Sequence, residues 1–510
     1  MSKLEYTPVE DVPRIHEELL RGFRSGKTKS IAYRKEQLLH LAYLIHDNKQ
    51  RFREALHADL GRPYDETDFL EFSPTIGEIM DAHDGVEKWA KTERTAFNSS
   101  WFPMSPAVRK EPKGLVLIIA PFNYPLLLLL GPLGSAIAAG CAAVVKPSEL
   151  VPQTSALLAE LLPKYLDQDL YRLVNGAVPE TTKLLELPWD HILYTGNGRV
   201  AKIVSAAAAK HLTPVTLELG GKSPVVIDPN CDVQTAARRI LWGKYANAGQ
   251  ICIAPDYILC PRGFQDTFVA AVQRAYNEFF PAEPPSPDNM SRMITQAHAE
   301  RVKKLIEGTR GTIVFGGQAD IAERFVAPTL VRDVPGDDSL MSEEIFGPVL
   351  PIVPVRDVDE AIEFINSREH ALSVYVFSQD SKFKAKVFNN TQSGAAVAND
   401  VSIGLRVHDA PFGGIGPSGS GSTTCKYGFL TFTHLRTTFD NPNWMDKLLM
   451  RRRYPPYATN GIKMLVNTTT PRLPPRPGSA SAQRKWRVWL ILVVIGLLTR
   501  LGWRAPALLK

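Results

Sequence analysis

Gly114-Leu115-Val116-Leu117-Ile118-Ile119-Ala120 leads into Pro121-Phe122-Asn123-Tyr124-Pro125, then an apolar stretch over 126–139, then Ala142-Ala143-Val144-Val145-Lys146. The first run is continuously apolar and of strand length, which fits a strand covered on both faces in a parallel sheet. The proline-flanked pentapeptide reads as a rigid loop. Residues 126–139 are apolar nearly all round and predict a buried helix. Ala142 to Lys146 makes a second strand, and Pro147-Ser148-Glu149 opens a further helix. Strand, helix, strand, helix is the pattern of a doubly wound α/β sheet.

Upstream, residues 12–91 follow a helical period, with Leu38, Leu39, Leu41, Ala42 and Ile45 at three-and-four spacing. Gly61-Arg62-Pro63 interrupts it. Downstream, His191-Ile192-Leu193-Tyr194-Thr195 is a strand followed by Gly196-Asn197-Gly198-Arg199-Val200-Ala201 and a small-residue helix. G-x-G-x-x-A between strand and helix is the context of a dinucleotide turn, where backbone and helix N-terminus meet a pyrophosphate. A plain tight turn fits the same residues. Such a turn calls for an acidic ribose ligand about 20 positions on, close to Glu218. Glu218 therefore has two readings, ribose ligand or catalytic base. Gly221-Lys222-Ser223 imitates the end of a phosphate-binding loop, but the required first glycine is Thr216. Beyond it, Asn247-Ala248-Gly249-Gln250-Ile251-Cys252 carries a thiol, and βα alternation continues to about residue 399.

The chain has 510 residues, 44% hydrophobic and 22% charged, enough for two or three soluble domains. Its net charge of +6 owes much to Arg451-Arg452-Arg453 and Arg484-Lys485-Trp486-Arg487, a local feature that does not point to nucleic acid. Five widely spaced cysteines without a C-x-x-C argue against disulfides or a zinc site, and for a reducing compartment. No metal is expected. The N-terminus lacks the apolar core of a secretory signal.

Six ordered motifs give the chain a resemblance to the aldehyde dehydrogenase superfamily, in its class 3 and fatty aldehyde dehydrogenase branch. They are Pro121 to Pro125, Lys146-Pro147-Ser148-Glu149-Leu150, Thr213 to Pro224, Gly249 to Tyr257, Glu344 to Pro348, and Pro411 to Gly416. The resemblance implies Cys252 as nucleophile, Glu218 as the base that activates water, and Asn123 as an oxyanion donor. It implies NAD or NADP as cofactor, with Lys146 and Glu149 at the adenosine ribose. Gly196 and Val200 would lie at the pyrophosphate turn, and Glu344 and Phe346 at the nicotinamide end. Cys252 then needs a polar, partly electropositive surrounding to ionise. Two departures from the family pattern are the Gly196-Asn197-Gly198 turn and Cys425, which stands where glycine is usual. The other cysteines read as inert, and His408 and His434 as structural.

The resemblance further implies a Rossmann-like cofactor domain over 1–90 and 113–216 and an α/β catalytic domain over 217–408. Residues 91–112 and 409–440 would form a small β arm that makes a homodimer. A proline-rich linker, 441–483, precedes an apolar segment over 484–510, read as a C-terminal hydrophobic helix anchoring the enzyme to a membrane and facing the cytosol. The anchor suggests a long-chain aliphatic or isoprenoid (apocarotenoid) aldehyde as substrate. Two rival readings are a catalytically silent scaffold and an enzyme that passes its acyl group to coenzyme A.

Overall fold

The structure is a computed structural model that describes residues 4–98, 101–281, 289–402, 407–456, 459–471, 473–477, 489–490 and 492–494. The described residues of 1–92 and 109–436 form one compact unit, and those of 93–108 and 437–510 a second.

The first unit contains two large sheets. One has the order Tyr171–Leu173, Ala142–Lys146, Leu115–Ile119, His191–Thr195, Val215–Glu218, Gly419–Ser420. All neighbours are parallel except the last. Every residue of Leu115–Ile119 and Ala142–Lys146 is buried, as their unbroken apolar character requires. Chain order reverses between Leu115–Ile119 and His191–Thr195, so a crevice opens at the carboxyl ends of these strands. Register brings Ile119 beside Lys146 and Tyr194, and Thr195 beside Glu218, so the quoted motifs emerge along one edge. The helices Asp11–Arg24, Ile31–His46, Lys49–Leu60 and Ser73–Trp89 share this sheet's core with the buried helix Leu127–Ala139. The next helix starts at Pro152 rather than at Pro147. Ser148 holds the intervening turn, its hydroxyl accepting from Leu150 N and its carbonyl from Ser155 Oγ.

The second sheet runs Thr312–Phe315, Thr329–Arg332, Val349–Val355, Tyr257–Pro261, Pro224–Ile227, Ser373–Phe377, Ala395–Ala398. Its neighbours are parallel apart from the first pair. Pro224 pairs with Tyr257, and Asp256 N donates to Ser223 O at 2.8 Å. Two strands that start side by side place their entry loops side by side. One loop leaves Glu218 and the other carries Cys252.

The second unit contains the antiparallel pairs Glu93 with Val108 and Arg94 with Ala107, and the helix Thr459–Thr469. Most of 484–510 lies outside the described residues. Among the described residues, no helix is long and apolar enough to cross a membrane.

Candidate active site

Three successive left-handed residues, Asn247 (φ 49°), Ala248 (φ 53°) and Gly249 (φ 74°), turn the chain into the Cys252 loop. For the two non-glycines this conformation costs roughly 1–2 kcal/mol each. A buried polar network holds it. Asn247 Oδ1 accepts from Arg62 Nη2 at 2.9 Å, and Asn247 Nδ2 donates to Asn123 O at 3.0 Å and Gln250 O at 3.2 Å. Its backbone N–H donates to Glu66 Oε1 at 2.8 Å. Arg62 is fully buried, is paired with Glu71 and donates to Asn123 O. The other oxygen of Glu71 accepts from Leu126 N and Leu127 N at 2.7 and 2.9 Å, capping the buried helix. One arginine thus ties the Asn123 loop to the Cys252 loop. The side chain of Asn123 donates to Gln250 O at 3.0 Å. A primary amide has two N–H groups, so one donor remains.

Cys252 and Glu218 line one cavity, with Thr195, Leu127, Phe412 and Glu78 among its other walls. Glu218 is buried, and neither carboxyl oxygen has a hydrogen-bond partner among the described residues. Burial raises its pKa well above the ordinary carboxylate range. The Cys252 thiol is pushed up to about 12, first by burial and then by Glu344 and Glu218, against the backbone N–H groups of Cys252 and Ile253. The expected electropositive surrounding is therefore not what these side chains provide: apolar walls and two carboxyl groups face the sulfur.

The Glu344 turn lies close against both entry loops, and its backbone approach to Gly249 is one that only glycine permits. A Cβ on Gly220 would lie 2.3 Å from Glu344 Oε2, and one on Gly249 would lie 2.3 Å from Gly347 O. Burial and Asp256 raise the Glu344 carboxyl to about 8, opposed by Gly221 N–H, Lys222 and Lys244. Lys222, the lysine of the false phosphate loop, is a strut. Its ammonium reaches Asp256 Oδ2 at 2.6 Å and the carbonyls of Leu340 and Glu343 at 2.8 and 2.9 Å. Phe346 has φ 44° and meets the Phe122 ring edge-on at 6.0 Å.

Lys146, Glu149, Gly196 and Val200 lie along the carboxyl edge of the first sheet. Lys146 Nζ is 2.9 Å from Glu149 Oε2, and Gly196 N donates to Glu218 O at 3.0 Å. Asn197 caps the helix Gly198–Ala209 by accepting from Val200 N at 3.0 Å. An anion at this helix start meets partial positive charge. Arg62, Glu71 and Glu78 are the site's unforeseen members. In sequence Arg62 is part of a helix break, and Glu71 and Glu78 are charges in a helical run. Nothing in that spacing announces that Arg62 and Glu71 are buried.

The profile of the aldehyde dehydrogenase family matches residues 1–438. The chain belongs to the aldehyde dehydrogenase family. The enzyme is an oxidoreductase and is 44% identical over 450 residues to rat aldehyde dehydrogenase family 3 member B1, covering 88% of this chain and 96% of that one. It matches the substrate-bound structure of Staphylococcus aureus AldH at a TM-score of 0.86 and 37% identity, over 90% of this chain and 99% of that one. The NADP complex of Methanocaldococcus jannaschii GapN, a glyceraldehyde-3-phosphate dehydrogenase, matches at 0.78 and 26%, over 87% and 96%. The NAD+ complex of a Mycobacterium tuberculosis aldehyde dehydrogenase matches at 0.77 and 26%, over 86% and 92%.

Proposed function

We propose that this aldehyde dehydrogenase oxidises a long-chain aliphatic or isoprenoid aldehyde to the acid, with Cys252 as nucleophile and Glu218 as the base for hydrolysis. The cofactor is NAD or NADP. The residues present suit it: the helix start after Asn197 for the pyrophosphate, Lys146 and Glu149 for the adenosine ribose, Glu344 and Phe346 for the nicotinamide end. When bound, the oxidised cofactor would supply a positive charge and an acceptor for the hydride that the thiol adduct loses on becoming a thioester. Cys252, as the thiolate that this charge favours and with its proton lost to solvent, forms a bond from Sγ to the carbonyl carbon as the carbonyl π bond opens, and the oxyanion is received by the free N–H of Asn123 and the backbone N–H of Cys252. Such a donor is worth roughly 2.7–4 kcal/mol of barrier. Glu218, in its ionised form, takes the proton of the water that attacks the thioester; the carbon–sulfur bond breaks, the acid leaves and the sulfur takes back a proton.

The observation that carries this reading is the shared cavity of Cys252 and an unpartnered, buried Glu218. A retained base beside the thioester favours water over coenzyme A as acyl acceptor, and the complete pair argues against a silent scaffold. An apolar substrate is supported by a second cavity walled by Leu70, Tyr124, Leu127, Trp242 and Ile251. Leu127 borders both cavities. The domain limits given above, a homodimer built through the β arm, and a cytosol-facing membrane association through 484–510 complete the reading.

The test is NAD(P)H formation with a long-chain aldehyde by the wild type and Cys252→Ala, with product analysis. A rate lost in the variant and a free acid product are expected. Equal rates, or an acyl-CoA product when coenzyme A is supplied, would overturn the assignment.

A further inference from the structure

We propose that Asp81, His408 and Cys425 form a binding site for a divalent zinc ion beside the catalytic cavity. The donors come from three distant segments, which is why cysteine spacing gave no hint of them. Asp81 Oδ2 lies 3.0 Å from His408 Nδ1 and 3.4 Å from Cys425 Sγ, and all three donor atoms fall within 4.8 Å of one another. Tetrahedral zinc, with bonds of about 2.0 Å to N and O and about 2.3 Å to S, holds its donors roughly 3.3–3.6 Å apart. The two separations to Asp81 Oδ2 are already close to that spacing. Imidazole, thiolate and carboxylate together suit a borderline-soft ion, whereas magnesium and calcium favour oxygen donors throughout.

The backbone is bent to present the thiol. Thr424 (φ 74°) and Cys425 (φ 46°) are consecutive non-glycines at positive φ, a strained conformation that persists only when its surroundings impose it. Thr424 Oγ1 donates to Ala410 O at 2.8 Å, while Phe412 and Thr423 exchange backbone hydrogen bonds of 3.2 and 2.6 Å. These contacts draw the segment carrying His408 to the start of the helix Cys425–Thr431. Asp81 sits on the helix Ser73–Trp89, with Glu78 three residues before it. Among the described residues neither carboxylate has a lysine or arginine ion-pair partner. A dication supplies the missing charge and displaces the thiol proton, so one proton is released per ion bound. Glu78, Thr424 and Gly428 also line the cavity that holds Cys252, so the ion would stiffen that wall.

The test uses the full chain as Cys252→Ser, which removes the other cavity thiol, titrated with cobalt(II) and then zinc(II). Expected are one ion per chain, a thiolate-to-cobalt charge-transfer band, its loss on zinc addition, and release of one proton. Adding Cys425→Ser should abolish the band. His408→Ala, at an exposed side chain whose loss does not threaten folding, should weaken binding at least about tenfold. No band in the Cys252→Ser protein, or a band that survives Cys425→Ser and binds equally in His408→Ala, would show that the three side chains only hydrogen-bond one another.

Discussion

Cys252 sits among groups that oppose its ionisation. With burial, Glu344 and Glu218 holding the thiol up to about 12, alkylation by iodoacetamide should climb steadily from pH 7 to pH 10 without a plateau. Saturating oxidised cofactor should shift that profile to lower pH, because its positive charge favours the thiolate. A plateau near the ordinary thiol value in the free enzyme would contradict this picture. Glu218 makes a second, separable case. Glu218→Gln should keep the first, stoichiometric release of reduced cofactor while steady-state turnover falls by about 10²–10⁴. Its carboxyl is raised above 4.5 by burial, so above that pH the unfolded chain loses a proton that the folded chain keeps. Stability therefore declines as pH rises through and beyond 4.5 toward the raised value. Glu218→Gln should flatten that decline, raising the melting temperature at pH 8 more than at pH 4. Loss of the initial release as well, or an unchanged pH slope, would count against the role and the environment assigned here.

The strained turn before Cys252 depends on elements far away in sequence. Arg62 follows the helix Lys49–Leu60, its partner Glu71 caps the helix Leu127–Ala139, and both Asn123 O and Asn247 accept from it. Arg62→Ala strands a buried carboxylate and should cost about 3–5 kcal/mol. Urea denaturation of the variant measures this; a loss below about 1 kcal/mol would mean the network is not held as described. The parallel strands and Cys252 with Glu218 were legible in sequence because apolar runs and contiguous motifs are local signals. Arg62 was not, since its function arises where three loops converge. Lys222 misled for the same reason: its glycine-lysine-serine context resembles a phosphate loop, yet its ammonium braces Asp256 and the turn at Glu343. The helix after Lys146 began later than expected, because Ser148 captures two groups that a helix would otherwise use.

At the scale of the whole molecule, the apolar cavity and the apolar tail make one joint claim about how substrate arrives. Leu70, Tyr124, Trp242 and Ile251 wall a space without charge, and about 0.8 kcal/mol accompanies each buried methylene. Across saturated aldehydes of increasing length, kcat/KM should therefore rise by up to roughly fourfold per added methylene until the cavity is filled. The tail should matter separately. The full chain mixed with anionic vesicles should float with them in a density gradient, and a variant ending at residue 483 should stay at the bottom. Both should oxidise a short, soluble aldehyde equally. With vesicle-borne long-chain aldehyde the truncated form should lose rate, because substrate must then leave the bilayer to reach it. Equal flotation would remove the tail from membrane binding, while a preference for short aldehydes in both forms would remove the apolar substrate. The two outcomes are independent, so the membrane claim can fail while the chemistry at Cys252 stands.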